Sequence, residues 1–167
     1  AGELEQRLQQ LFGDDPPTSL SVVRHTMARA QAVCRIHCTI GGKSKAFASG
    51  FAVKGSVLHT AWGDDPVIVT NNHVISTTPT ASSQRVEYCE AVFVSPDTDE
   101  EHRVGFGAVL WESEIEAHDI TIVRPAGPLP SHVKPLSALP STTLPGRAPD
   151  DQGIGRVYVI GFPAAGE

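Results

Sequence analysis

No block of lysine and arginine occurs anywhere in the 167 residues, and the net charge is −6 with a pI near 5.6. A protein that follows a phosphate backbone needs clustered cations, so this distribution argues against nucleic acid as a partner. No uninterrupted apolar run reaches the roughly 20 residues of a bilayer-crossing helix, which argues against a membrane span. The N-terminal AGELEQRLQQ has neither the positive start nor the apolar centre of a signal peptide. The expectation is a cytoplasmic protein, or a periplasmic or secreted one whose leader has been removed. Cysteine is scarce and odd in number. Cys34, Cys38 and Cys89 cannot all pair within the chain, which favours a reducing compartment.

With 40% hydrophobic and 19% charged residues, the chain has material for one globular domain with a sizeable core. Residues 1–30 form a helical segment. Leu4, Leu8, Leu11 and Phe12 recur at helical spacing and stop at GDDPP, and a second helix begins after Thr18 or Ser19 and carries Leu20, Val23 and Met27 to about Ala30. Such a stripe packs on the body of the domain; the sharper alternative is oligomer or partner contact through residues 1–30.

From residue 31 the period changes to two. AVCRIHCTI and KAFASGFAV flank the glycine-led turn GGKS, and VIVT, VEYCEAVFV, RVGFGAVLW and ITIV follow, separated by loops. Short strands without long helices between them indicate an all-β barrel or sandwich over 31–124. Proline then recurs at 125, 128, 130, 135, 140, 145 and 149, marking 125–151 as an extended connector, because proline cannot donate to a sheet ladder. GRVYVIGF, within 152–167, opens a new strand.

Strict alternation places Ala32, Cys34, Ile36, Cys38 and Ile40 on one apolar strand face, so Cys34 and Cys38 read as buried, reduced core thiols. A zinc site would need His37 or Cys89 as well. His37 points to the opposite face and the spacing fits no common ligand pattern, so neither metal nor cofactor is expected.

Two polar residues stand beside buried strands. His73 follows VIVT in VIVTNNHVIS, and Asp119 precedes ITIV in EAHDITIVRP. Each alone is ordinary: a hydrogen-bonded histidine and a strand-margin carboxylate. Together, 46 residues apart, they suit a proton-handling pair, in which a carboxylate on one ring nitrogen frees the other to take a proton and stabilises the resulting imidazolium. His59, His102 and His118 receive no role.

VTNNHVI resembles the histidine motif of chymotrypsin-fold serine peptidases, especially the trypsin-like branch that includes the bacterial HtrA-type proteases, and HDITIV resembles that family's aspartate motif. ASGFAV is similar to the strand before the histidine, and GRVYVIGFP to the first strand of the second barrel. The resemblance spans roughly residues 32–167 and keeps the family's chain order of histidine, aspartate, nucleophile. It implies a double β-barrel with the first barrel complete and the second only begun. It also implies a serine-type endopeptidase acting on protein or peptide substrates, with His73 as general base and acid and Asp119 orienting it. The family's Gly-x-Ser-Gly nucleophile segment is absent: Ser49 lies in a strand, and Ser131, Ser137 and Ser141 lie in the connector. The expectation is therefore a fragment that ends before its nucleophile and oxyanion hole, is inert alone, and pairs with the C-terminal half of its own domain. Some relatives use cysteine in place of the serine. The alternatives are a catalytically inactive protease-like module that binds a protein partner, and an unrelated small barrel in which His73 and Asp119 are structural.

Overall fold

A computed structural model describes residues 20–40, 42–80 and 82–137. The helix expected within residues 1–13, most of the Pro-rich connector and the strand at GRVYVIGF lie outside them. One helix, α1 (Leu20–Ala30), leads into six strands: β1 (Val33–Ile40), β2 (Lys43–Lys54), β3 (Pro66–Thr70), β4 (Cys89–Val94), β5 (Glu101–Ser113) and β6 (Ile120–Pro125). The strands close into an antiparallel barrel in the order β1-β2-β3-β6-β5-β4. Closure gives every strand two neighbours and so removes the exposed edges that invite aggregation. No helix among the described residues is long and apolar enough to cross a membrane.

The alternation read in β1 fills the barrel: Cys34, Ile36 and Cys38 are buried in one cluster with Ile68, Phe93, Phe106 and Val123. β3 is covered on both faces, as its continuous apolar run requires. Ile68 points into that cluster, while Val67 and Val69 pack on the other side with Val53, Ile122, Val57, Trp62 and Leu136. This second layer comes from the short helical turns after β2 and from the start of the proline-rich segment. Leu136 accepts from Lys54 N–H at 3.2 Å and donates to the Ala52 carbonyl at 2.8 Å, completing the end of β2 that β1 leaves open.

Irregularities bend the strands into a closed wall. The β1–β2 register shifts between Ile36 and His37, where Ala48 and Ala46 are the successive partners, so Phe47 is the extra residue on β2. β5 carries two further shifts against β6. Bulges raise the local twist and let a long strand wrap a small barrel. Gly50 is needed for a close approach: a Cβ there would lie 3.0 Å from Ile36 Cδ1 and 3.1 Å from the Val69 carbonyl. Two local expectations change. Val86–Tyr88 is a 3-10 turn, closed by Tyr88 N–H to Arg85 O, so β4 starts only at Cys89. Met27, expected in the packed stripe of α1, is 60% exposed.

Candidate active site

β3 and β6 are neighbours, with Thr70 opposite Thr121. The chain leaving β3 therefore stands beside the chain entering β6. His73 lies three residues beyond the end of β3, in a turn where the N–H groups of Val74 and Ile75 both donate to the Asn71 carbonyl. Asp119 sits just before β6 with φ of 52°, the left-handed region that residues other than Gly, Asn and Asp rarely adopt. Its N–H, with those of Ala117 and His118, donates to the Glu114 carbonyl, and this turn aims the carboxylate back across the β3–β6 seam.

The structure brings the two residues together. His73 Nδ1 is 2.7 Å from Asp119 Oδ2, and the His73 backbone N–H donates to Oδ1 at 2.9 Å. Asn71 Nδ2 donates to Oδ2 at 3.2 Å and to the Asp119 carbonyl at 3.1 Å. Both carboxylate oxygens are thus held by residues 71–73, and the short contact to Nδ1 is that of a charge-assisted bond. With the Nδ1 proton directed at the carboxylate, the Nε2 lone pair is left to accept a proton, and the ring is 47% exposed. Asp119 itself is less open, at 23%. Burial pushes its pKa up, but the His73 N–H, the His73 ring and Asn71 outweigh it, and the carboxyl is held below its ordinary value of 3.8.

No family model, curated protein or solved structure matches this chain. The functional reading therefore rests on the sequence motifs and on geometry.

A polar network that sequence reading missed underlies the histidine turn. Thr121, fully buried on β6, donates its hydroxyl to the Ile75 carbonyl at 2.6 Å and accepts from Asn72 Nδ2 at 3.2 Å. Glu112 on β5 accepts from Thr77 N–H at 3.0 Å, from the Thr77 hydroxyl, from Asn72 Nδ2 at 3.3 Å and from the Ser76 hydroxyl at 3.4 Å. Two asparagines interrupting an apolar run were the available signal, since buried amides demand partners. Replacing Thr121 by valine keeps the shape but strands the Ile75 carbonyl and leaves Asn72 Nδ2 with Glu112 alone. The expected loss is about 1–3 kcal/mol in urea-unfolding free energy. A change within about 0.5 kcal/mol would mean that Asn72 and Ile75 find other partners.

The remaining histidines lie in other settings. His59 Nδ1 accepts from Ala61 N–H and its ring rests against Trp62; His102 rests against His132; His118 is exposed. Cys34, Cys38 and Cys89 are buried and free. No three His, Cys, Asp or Glu side chains gather among the described residues as they would around a metal ion. An open groove of about 470 Å³, largely apolar, has walls that include Phe51, Val69, Thr70, Asn71 and Ile120; it reaches the residues flanking the pair, and neither His73 nor Asp119 lines it.

The lowered pKa of Asp119 predicts a pH signature. A carboxyl with a depressed native pKa contributes stability that is complete above its unfolded value and is lost as pH falls through the native one. Asparagine tolerates the left-handed backbone of residue 119, so Asp119→Asn removes the charge without adding backbone strain. The gap in thermal stability between wild type and this variant should close as pH drops below about 4. Calorimetry at stepped pH checks it, and an unchanged gap near pH 2 would show that the charge contributes nothing.

Proposed function

We propose that this chain carries the histidine and aspartate of a trypsin-like serine endopeptidase of the chymotrypsin fold. Its barrel would be the first of two, and the nucleophile would come from outside residues 1–167. The observation that carries the reading is the orientation of His73, with Nδ1 bound to the Asp119 carboxylate and the ring 47% exposed. A closed six-strand antiparallel barrel is compatible with that fold, and the motif resemblance gives the chain order.

In this mechanism His73 Nε2 takes the proton of the nucleophile as it attacks the substrate carbonyl, and Asp119 stabilises the imidazolium that forms. His73 then delivers the proton to the leaving amine. Water enters the acyl-enzyme by the same route, losing its proton to Nε2 as it attacks. Oxyanion stabilisation requires donors supplied with the nucleophile, so the 167 residues alone should have no peptidase activity. The apolar groove beside Asn71 and Ile120 supports a peptide as the substrate class, since extended chains bind through alternate apolar side chains. Residues 1–30 would remain available for a partner or for oligomer contact, and the protein would act in the cytoplasm, or beyond it after loss of a leader.

The test is to express the chain together with the sequence that follows it in its gene and treat it with a fluorophosphonate and, separately, with iodoacetamide. One adduct on a serine or cysteine beyond Glu167, dependent on His73, supports the proposal. A folded protein that neither reacts nor cleaves casein would overturn it in favour of a protease-like binding module.

A further inference from the structure

Cys38 on β1 and Cys89, the first residue of β4, are direct partners in the antiparallel β1–β4 ladder. Both point into the barrel, 1% and 5% exposed, and their sulfurs are 2.8 Å apart. Opposed residues in such a ladder have Cα atoms about 4.5–5.5 Å apart, inside the span a disulfide bridges. Bond formation would draw the sulfurs together by less than about 1 Å. Cys34 shares the inward face but pairs with Gly50 on β2, so no thiol stands opposite it. The odd count of cysteines thus resolves into a facing pair and one remainder.

We infer that Cys38 and Cys89 are a cross-strand disulfide site, oxidised by a small-molecule disulfide such as oxidised glutathione, that ties β1 to β4 and leaves Cys34 a thiol. The Cys38 thiolate attacks one sulfur of oxidised glutathione, forming a mixed disulfide and expelling one glutathione thiolate. The Cys89 thiolate then attacks the Cys38 sulfur and expels the second. Two protein thiols are oxidised, one glutathione disulfide is reduced to two thiols, and the two protein protons end on the leaving glutathiones. In the folded pair the hydrogen bond between the sulfurs lowers the pKa of Cys38 and raises that of Cys89. Cys34 stays out of the exchange because its register partner is Gly50 and no thiol faces it. Because the pair is buried, oxidation should be slow in the folded protein and efficient during refolding, before the barrel closes. The bridge joins residues 51 apart in sequence, a long loop whose closure restricts the unfolded chain.

The reduced, unfolded 167-residue chain is refolded in a mixture of oxidised and reduced glutathione, alkylated and mapped by mass spectrometry. Expected are one alkylated residue, Cys34, a linked peptide containing Cys38 and Cys89, and a thermal midpoint several degrees above that of the reduced protein. Cys34→Ala should form the same bridge, and Cys89→Ser should form no linked peptide, its Cys38 being recovered as a thiol or as the mixed disulfide with glutathione. In the wild-type chain, three free thiols after refolding, a bridge that uses Cys34, or a stable glutathione adduct on Cys38 would each overturn the assignment. None of these outcomes depends on whether the protein is a peptidase.

Discussion

On the proposed function, replacing His73 by alanine in a form of the protein that carries the nucleophile is expected to abolish cleavage of casein or a fluorogenic peptide, with thermal stability nearly unchanged. The two halves of this result have separate causes. In the proposed mechanism hydrolysis fails because the Nε2 that takes the nucleophile's proton is gone, and loss of such a base costs on the order of 10⁴–10⁶ in kcat in triad enzymes. Stability survives because the ring is 47% exposed and its one side-chain hydrogen bond is to Asp119. The His73 backbone N–H and Asn71 still hold the carboxylate after the ring is gone, so no bare charge is left behind. An unfolding free energy within about 1 kcal/mol of wild type is expected. Near wild-type cleavage by the variant would make His73 a structural residue and hand the protein to the binding-module reading.

The barrel was largely legible because its strands announce their surroundings. β1 alternates, and one face of it lines the interior; β3 is apolar throughout, and both of its faces are covered. The approach of His73 and Asp119 was legible for a related reason: each flanks a buried strand, and buried strands in a small barrel have few partners to choose from. What stayed hidden depends on long-range closure. The bulges at Phe47 and in β5 answer to the curvature of the wall, which no local pattern encodes. Thr121 reads as one more β-branched strand residue, and only the arrival of Ile75 and Asn72 makes its hydroxyl a hub. Glu112 lies 35 residues from the Thr77 that it holds, too far for any local signal. His73 lies three residues beyond the end of β3, where the turn at Asn71 lets backbone and ring face the same carboxylate.

Replacing Asp119 by asparagine should keep the fold and reduce kcat by about 10⁴, the loss seen for the equivalent change in a well-studied triad. Asparagine fits the left-handed backbone at 119 and can still accept from the His73 N–H through its amide oxygen. If its NH₂ takes the place of Oδ2, it donates toward Nδ1, so the ring must carry its proton on Nε2 and has no lone pair to offer the nucleophile. If instead its oxygen faces Nδ1, the ring keeps its tautomer but loses the charge that stabilises the imidazolium. Either arrangement cripples the base without moving it. The double variant His73→Ala with Asp119→Asn then separates a proton-handling unit from two independent contributions. With the imidazole absent, the carboxylate has nothing to orient, so the double variant should be no slower than His73→Ala alone, a departure from additivity of about 10⁴-fold. Single-turnover rates on a fluorogenic ester, reactive enough to report residual activity, would measure it. A double variant slower than both singles by the product of their losses would mean that Asp119 acts on substrate or fold by a route that does not pass through His73.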